Sequence, residues 1–502
     1  MQHSNLSEKA GVVVFARIIT TIIDLAIVIA TIQLLSKTDF AIIGYLLMIH
    51  EVARNMATLG FPESVFFFFE RVSGGAKRAF VIQTTFILAG AALVSGVLIL
   101  VITAIVPSLL PEWDTASVSQ LQSLLPYMAL VAVLEIPTWP VTNILLALDK
   151  QKQAAWYELL TTLFIFVLLV GPLVLGLGLE FAVYGLTGYA LLRFIISWIW
   201  MRRVLPEGSI KDSEVSVRRQ VNFSVPLGLS SLVSKMNRYA DKFIVSILLP
   251  SAAYAEYTIG AQEVPIIRVI PFAVGSVLIS RYVAYHLESK KEELLELWYK
   301  GVEKVSLLVI PLTIAVIIGA SDLIALIAES EGTDYRNAVV PFQIFNLIVL
   351  VRVTNYGSIL QAFGDTRGVL YLSVNLVAAN IILSIPLTLL FGITGTAAGT
   401  LIANLYNWVI TLRRIGGHMD LPFYKVLPFP YYMRVLLISV VIAIPVAWMR
   451  GTILTADPSG WGLLLIFTLY PFLFYVTGSL TGVIRPADRQ QFKNWISMKF
   501  LR

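Results

Sequence analysis

Long apolar runs alternate with short polar or charged segments along most of the 502-residue chain. Because a helix needs about 20 consecutive apolar residues to cross a bilayer, each run of that length predicts a membrane-spanning helix. Fourteen such spans are predicted, at residues 10–35, 39–66, 78–106, 120–147, 154–176, 179–202, 220–248, 253–281, 302–327, 338–362, 368–391, 394–414, 432–451 and 460–482. The pattern therefore predicts an all-α polytopic membrane protein.

Composition supports this interpretation and excludes several kinds of chemistry. Hydrophobic residues make up 57% of the chain and charged residues only 14%, whereas soluble domains average about 25% charged residues. The absence of cysteine excludes disulfides, thiolate metal sites and cysteine nucleophiles. No phosphate-binding loop or histidine cluster with ligand spacing occurs, and the outer loops are short. We therefore expect no catalytic residue, no metal and no cofactor, and hence a protein that is not an enzyme.

Lysine and arginine residues lie mainly on one side of the predicted topology. With the N terminus inside, the inner segments carry 26 of them and the outer segments three. By the positive-inside rule, both termini are expected in the cytoplasm. The net charge of +6 thus follows from topology, and we expect no nucleic-acid partner.

The first six spans resemble the next six. Glu51 in span 2 and Glu263 in span 8 are 212 residues apart, and Pro126 in span 4 and Pro341 in span 10 are 215 apart. Because six is even, both copies share one orientation. The pattern predicts two six-helix lobes related by a pseudo-two-fold axis along the membrane normal, with two extra C-terminal helices.

This duplication also predicts the domain organisation. The segment between the lobes is rich in charge, Gly and Pro, which is typical of a boundary. The predicted parts are an N lobe (1–204), an inter-lobe cytoplasmic loop (205–217), a C lobe (218–416), the extra helices (432–482) and a cytoplasmic interfacial tail (483–502).

Charged residues inside the predicted spans are the main candidates for function, because each costs roughly 2.5–3.5 kcal/mol near the bilayer centre. The cations are Arg17, Arg54, Arg193, Lys235, Arg238, Lys242, Arg268 and Arg352. The anions are Asp24, Glu51, Glu135, Glu158, Asp241 and Glu263. The first half carries a net charge of −1 and the second +3, which favours an anion site in a cavity between the lobes.

Local pairing is the alternative to ligand binding. Glu51 and Arg54 are three residues apart on one helical face, as are Arg238 and Asp241, so each pair can neutralise itself. The stripe formed by Arg238 and its neighbours on span 7 can likewise bind acids of other helices. Sequence alone leaves both alternatives open.

Three weaker features complete the pattern. Pro137 and Pro140 predict a bend beside Glu135 in span 4. His50 is interpreted as a packing residue, and the aromatic tract 66–69 is expected to face lipid. The inner segment 286–304 is predicted to lie at the membrane interface through an apolar face.

Segments 224–231 (SVPLGLSS), 241–246 (DKFIVS) and 359–367 (ILQAFGDTR), together with the six-helix repeat, carry a family resemblance. Over roughly residues 1–430 the chain resembles the polysaccharide flippases. Their superfamily also contains the multidrug and toxin extrusion transporters and the lipid II flippases. The resemblance implies a flippase that moves an undecaprenyl-pyrophosphate-linked oligosaccharide across the bacterial inner membrane by alternating access.

The resemblance also implies the substrate and partners. The glycan would be an O-antigen, capsule or exopolysaccharide unit, and the partners would be this lipid-linked glycan, membrane lipids and the glycan polymerase machinery. Lipid II flippases use arginines in helices one, two and eight, and Arg17, Arg54 and Arg268 occupy these helices here. The two extra helices resemble the additional pair of helices with which such flippases contact the polyprenyl tail.

We therefore predict two sets of site residues. The pyrophosphate would be bound by Arg17, Arg54, Lys235, Arg238, Arg268 and Arg352. Coupling to H⁺ or Na⁺ would involve Asp24, Glu51, Glu135, Asp241 and Glu263. Two alternatives are a cation-coupled multidrug exporter of the same fold, which the cation excess disfavours, and an integral-membrane glycan polymerase or ligase, which the short outer loops disfavour.

Overall fold

The computed structural model describes residues 2–69, 71–208, 214–328, 334–453 and 461–490. Apart from turns and short 3₁₀ segments, these residues form eighteen α-helices. They are α1 (Gln2–Leu34), α2 (Lys37–Thr58), α3 (Phe61–Phe69), α4 (Gly75–Leu109), α5 (Thr115–Glu135), α6 (Val141–Ala147), α7 (Gln151–Val174), α8 (Leu179–Val204), α9 (Val217–Leu248), α10 (Ser251–Gly260), α11 (Pro265–Leu287), α12 (Lys291–Ile318), α13 (Ala320–Ala328), α14 (Val339–Val351), α15 (Tyr356–Ala362), α16 (Thr366–Met419), α17 (Phe429–Ile453) and α18 (Trp461–Leu480).

Within these described ranges, eleven helical segments are long and apolar enough to cross a membrane. One of them, α16, contains predicted spans 11 and 12, which are separated by Gly392 with φ +59° and ψ −141°. Predicted spans 2 and 7 are not among the eleven; they correspond to α2 with α3 and to α9, which carry several of the candidate charges. The all-helical, multi-pass class is confirmed, and the count of fourteen stays a prediction.

The chain divides into two compact units, Met1–Ala255 and Glu256–Arg502, so the division falls within α10. The sequence instead places the lobe boundary at 205–217. In the structure, α9 packs against α2 and α3 of the first unit. The compact unit Met1–Ala255 therefore contains α9. The division into two six-helix lobes stays a prediction.

A close approach of two backbones explains where α9 lies. Gly60, in the turn between α2 and α3, has φ +75°, which favours glycine. A Cβ atom on Gly228 of α9 would lie 2.1 Å from the carbonyl carbon of Leu59. This contact requires a residue without a side chain and places α9 directly on the turn.

Aromatic packing in the same unit corrects the expectation that the tract 66–69 faces lipid for all of its residues except Phe66, which is exposed. Phe68 and Phe69 are buried. Phe67 stacks on Phe223 of α9 with ring centroids 4.2 Å apart. A run of aromatic residues is apolar on every side, so sequence alone does not distinguish lipid contact from contact with another helix.

The second unit is organised around α12, which contacts α11, α14, α17 and α18. Leu294 and Trp298, expected at the membrane interface, are buried instead. The Trp298 indole Nε1 donates to the carbonyl oxygen of Val426 at 2.8 Å. Residues 491–502, most of the predicted interfacial tail, lie outside the described residues.

A buried ion pair ties the two extra helices to this unit. Asp322 of α13 is buried, and its Oδ2 accepts a hydrogen bond from Arg450 Nε of α17 at 3.1 Å. A Cβ on Gly462 of α18 would lie 2.7 Å from the same Oδ2. Both α17 and α18 therefore contact the Asp322 carboxylate.

Segment 359–367 forms the turn from α15 to α16. The Asp365 carboxylate caps α16 by accepting from the Gly368 backbone N–H at 2.9 Å. It also accepts from Arg414 Nε at 2.5 Å and NH2 at 2.9 Å. The hydrogen bonds from the Arg414 guanidinium hold the pKa of Asp365 well below its usual range.

Gly228→Ala is expected to destabilise the first unit by about 1–3 kcal/mol, because the new methyl group overlaps the turn at Leu59. Thermal unfolding of the purified protein in detergent measures this change. Gly171→Ala is the control, since a Cβ there meets nothing within 4 Å. Equal melting temperatures for Gly228→Ala and the control would contradict the close approach.

Asp365→Asn is expected to lower stability at pH 7 by about 2 kcal/mol through loss of charge-assisted hydrogen bonds. Because folding lowers the pKa of Asp365, its contribution is present above about pH 4 and is lost as pH falls further. The melting-temperature gap between wild type and variant should therefore narrow between pH 7 and pH 3. A gap that stays constant over this range would exclude the ionised carboxylate as its cause.

Candidate functional site

The predicted local ion pair in α2 is present. Arg54 NH2 lies 3.1 Å from Glu51 Oε1, with 17% and 40% of these side chains exposed. The Arg54 guanidinium carbon also lies 3.9 Å from the ring centroid of Trp139. Arg54 is thus held between a carboxylate and an aromatic face, and it can bind an anion only by sharing or leaving Glu51.

A second, more deeply buried group surrounds Glu135, whose side chain is 7% exposed. Its Oε2 lies 2.7 Å from His50 Nε2 of α2, and its Oε1 lies 3.4 Å from Arg193 NH1 of α8. Arg193 also donates to Thr138 Oγ1 at 2.9 Å and to Tyr189 OH at 2.7 Å. We call these five residues the Glu135 cluster.

The bend in span 4 places this cluster. Helix α5 ends at Glu135, a 3₁₀ turn follows over Ile136–Thr138, and α6 begins at Val141. The bend predicted from Pro137 and Pro140 is therefore confirmed. Thr138 Oγ1 donates to the Glu135 carbonyl oxygen at 2.7 Å, which partly satisfies the backbone at the break.

Trp139 connects the two groups of charges. The guanidinium carbon of Arg193 lies 5.1 Å from its ring centroid, compared with 3.9 Å for Arg54. Cations within about 6 Å of an indole face are attracted by its quadrupole. The two arginines therefore share one aromatic ring.

The predicted stripe on α9 does not act as one group. Lys235 Nζ donates to Asn55 Oδ1 of α2 at 2.9 Å. Arg238 is exposed, whereas Asp241 is buried and its Oδ1 accepts from the Lys242 backbone N–H at 2.9 Å. Only Arg238 of these residues presents an exposed charge.

Three other predicted site residues are exposed. Arg17 and Asp24 lie on α1 of the first unit, and Arg268 lies on α11 of the second. Exposure on helices this apolar is consistent with contact to a polar ligand.

The second unit contains a related cluster at two helix breaks. Arg352 ends α14, and its NH1 donates to Glu263 Oε1 at 3.0 Å in the turn between α10 and α11. Arg352 Nε and NH2 both donate to Asn404 Oδ1 of α16, at 3.0 and 2.8 Å. Buried Asn346 supports the turn, because its Nδ2 donates to the Gln262 carbonyl oxygen at 3.3 Å.

The positions of these residues follow the predicted duplication. Arg193 and Asn404 are 211 residues apart, and α6 and α15 are both seven-residue helices that begin 215 residues apart, each after a break. The copies differ at span 2 and span 8, since Glu51 lies within a continuous helix and Glu263 lies in a turn. Arg193 is thus charged where the corresponding Asn404 is neutral, whereas Glu51 and Glu263 carry the same charge in different backbone surroundings.

The distribution of charge differs from the expectation. Because α9 belongs to the first unit, that unit contains six of the candidate cations and five of the anions, and the second contains two and one. The +3 excess predicted for the second half depended on counting α9 there. Each unit instead carries an excess of one cation from this set.

The sequence interpretation missed several members of these clusters. Arg193 was a candidate charge but not a site residue, His50 was assigned to packing, and Trp139 and Asn404 were not singled out. The offset that relates Arg193 to Asn404 was the available signal. In the described part of the chain, no group of three His, Cys, Asp or Glu residues could hold a metal ion.

Comparisons with known proteins agree on one family and fold. A family model described as "Polysaccharide biosynthesis protein" matches residues 6–286. The "Probable low-salt glycan biosynthesis flippase Agl15" of Haloferax volcanii is 21% identical over 248 residues, covering 49% of this chain and 52% of that protein. The chain thus spans about half the length of this curated relative.

Among solved structures, the lipid II flippase MurJ in an inward closed conformation has a TM-score of 0.71 at 15% identity. The match covers 94% of this chain and 98% of the MurJ chain. An inward-facing MATE family transporter of the MOP superfamily has a TM-score of 0.64 at 15% identity, covering 80% and 96%. A MOP superfamily transporter from Pyrococcus furiosus, reported with a binding pocket of reverse polarity, has a TM-score of 0.53 at 13% identity, covering 83% and 94%. These likenesses show a shared fold.

Glu135→Gln is expected to cost about 3–5 kcal/mol of stability, because it leaves Arg193 buried without its counterion. Glu51→Gln is the matched comparison and is expected to cost about 1 kcal/mol or less, since Glu51 is much more exposed. Thermal unfolding of both variants in one detergent measures the difference. A larger loss for Glu51→Gln would contradict the assignment of Glu135 as the principal buried counterion.

Proposed function

Since the chain belongs to the polysaccharide biosynthesis protein family and shares its fold with MurJ and MATE transporters, we propose that it is a flippase for a lipid-linked glycan. The observation that carries the proposal is the presence of exposed arginines on helices that form predicted membrane spans. Arg17, Arg238 and Arg268 lie on α1, α9 and α11, and all three are exposed. Such residues are costly in a membrane unless they bind water or a ligand.

The proposed substrate is an undecaprenyl-pyrophosphate-linked oligosaccharide. Two phosphate charges cannot cross an apolar region without cationic partners. A guanidinium group presents a planar fork of donors that matches phosphate oxygens and is always charged. The three exposed arginines would make the first contacts with the pyrophosphate.

The remaining predicted binding residues would contact the pyrophosphate by releasing their present hydrogen-bond partners. Arg54 is bound to Glu51 and Arg352 to Glu263, at 3.1 and 3.0 Å. Lys235 is bound to the neutral amide of Asn55. Since Glu51 and Arg352 are each about 40% exposed, a phosphate group can reach these pairs and compete for the cation.

The same proposal includes the finer parts of the sequence interpretation. The protein would have fourteen spans in two duplicated lobes and cytoplasmic termini, would lie in a bacterial inner membrane and would work by alternating access beside the glycan polymerase machinery. The matching positions of α6 and α15 support the duplication. Coupling to H⁺ or Na⁺ would supply the energy, because the sequence contains no phosphate-binding loop for ATP.

A multidrug exporter of the same fold is less well supported. An organic cation would need accessible carboxylates, but Glu51, Glu135 and Glu263 already pair with arginine or histidine side chains. Asp24 is the exposed acid of the predicted coupling set. The exposed charges are mainly positive, which favours an anionic ligand.

Arg238→Ala and Arg268→Ala should each reduce surface glycan about tenfold or more, because each removes a charge-assisted contact worth about 1.5–3 kcal/mol. The assay measures surface glycan and lipid-linked intermediate in cells whose own copy is deleted, with protein in the membrane quantified. The arginine-to-lysine variants should retain part of the activity, since they keep the charge.

Arg336→Ala is the control, because this arginine is 83% exposed and pairs with Asp334 in its own turn. Full export by the Arg238→Ala, Arg268→Ala double variant would falsify the proposed pyrophosphate site. Restored resistance to cationic drugs without any effect on glycan would instead identify the exporter.

A further inference from the structure

His50 occupies an unusual position for a packing residue. It lies in α2 with 5% of its surface exposed. Its Nε2 is 2.7 Å from the Glu135 carboxylate. Among the residues that the structure describes, the buried Nδ1 has no hydrogen-bond partner.

The contact with Glu135 determines where the imidazole carries its proton. An ionised carboxylate only accepts hydrogen bonds, so Nε2 must be the donor. In the neutral ring, Nδ1 then holds a lone pair and no hydrogen. This lone pair is the position at which His50 would take up a second proton.

Charged groups surround His50 on its own helix and on the helices packed beside it. Its own helix carries Glu51 and Arg54, α5 carries Glu135, and α8 carries Arg193. Glu158 of α7 also interacts electrostatically with Arg193. The other ionisable groups of the packed elements include Lys37, Asp39 and Tyr45 of α2, Tyr127 of α5, Tyr157 of α7, Tyr189 of α8, Lys235, Arg238, Tyr239, Asp241 and Lys242 of α9, Lys77 and Arg78 at the start of α4, and Arg17 and Asp24 of α1. A second proton on His50 adds one positive charge to a cluster in which Glu135 already faces Arg193.

The geometry of the Glu135 cluster disfavours a metal ion at this position and favours binding of a proton. Both oxygens of Glu135 are engaged, Oε2 by His50 and Oε1 by Arg193. A cation such as Na⁺ needs several free oxygen ligands, and the neighbouring guanidinium would repel it. Nδ1 requires only a proton.

We propose that His50 is the residue that binds the coupling proton, with Glu135 as its fixed counterion. This inference rests on the proposed transport function and names the ion and the residue that drive it. The described arrangement is the deprotonated one, because a proton on Nδ1 would create a buried donor without an acceptor. Protonation therefore favours a different arrangement of α2, α5 and α8, in which Nδ1–H finds an acceptor or an anion offsets the added charge.

Titration of the histidine itself provides the first test. The chain contains four histidines, so protein labelled at histidine ¹³Cε1 gives few signals, and the His50 signal is the one missing from His50→Gln. We expect this signal to change when folded wild type is acidified, because His50 takes up the second proton at Nδ1. A His50 signal that stays unchanged on acidification of folded wild type would overturn the proposal.

Transport provides the second test, in liposomes that contain the purified protein and a pyrophosphate-linked glycan. When the medium outside the liposomes is more acidic than the lumen, wild-type protein should transport the glycan several-fold faster than in the same liposomes with a protonophore. His50→Gln keeps an amide N–H for Glu135 but cannot titrate, so its rate should not respond to the gradient. His286→Gln is the control and should respond like wild type, because His286 lies at the end of α11, outside the cluster.

The outcomes separate the two proposals. A gradient response that persists in His50→Gln would overturn the role of His50. If His50→Gln does not fold, as judged by its melting temperature, His50→Asn replaces it in both the signal assignment and the transport assay. If liposomes containing wild-type protein transport no glycan with or without the gradient, the proposed function is contradicted instead. The titration then tests only whether His50 binds a proton.

Discussion

A charged side chain among apolar helices must be paired, and this constraint determines how each unit is built. In the first unit, Glu135 neutralises Arg193 where α5 breaks. In the second, Arg352 pairs with Glu263 where α14 breaks. Broken helices free backbone groups and shorten the distance between spans, so the breaks are where polar groups of several helices can meet. The buried charges thus hold the helices at fixed positions.

The exposed arginines stand apart from this arrangement. Arg17, Arg238 and Arg268 lie on helices of the predicted membrane spans, and all three are exposed. A transporter of an anionic lipid headgroup needs both classes of charge: paired charges that position the helices, and accessible cations that bind the ligand transiently. Arg54, which is shared between Glu51 and Trp139, lies between the two classes.

The sequence predicted the fold class, the bend at Pro137 and Pro140 and the pair Glu51–Arg54, because each depends on residues close together in the chain. It did not predict the partners of Glu135, since His50 and Arg193 lie 85 and 58 positions away and carry no local motif. The contact between α9 and the turn at Leu59 was also not predicted. It depends on Gly228 fitting against a turn more than 160 residues earlier, which apolar periodicity does not encode.

The most direct measurement of the central claim compares two lipids that differ only in the linkage to the glycan. Purified protein in liposomes would be given an oligosaccharide joined to its polyprenyl chain either by pyrophosphate or by a neutral link, and arrival in the outer leaflet would be followed by cleavage with an added glycosidase. Recognition by the arginines predicts rapid arrival of the pyrophosphate-linked glycan and little arrival of the neutral one. Equal rates for the two lipids, well above those of protein-free liposomes, would contradict recognition of the pyrophosphate.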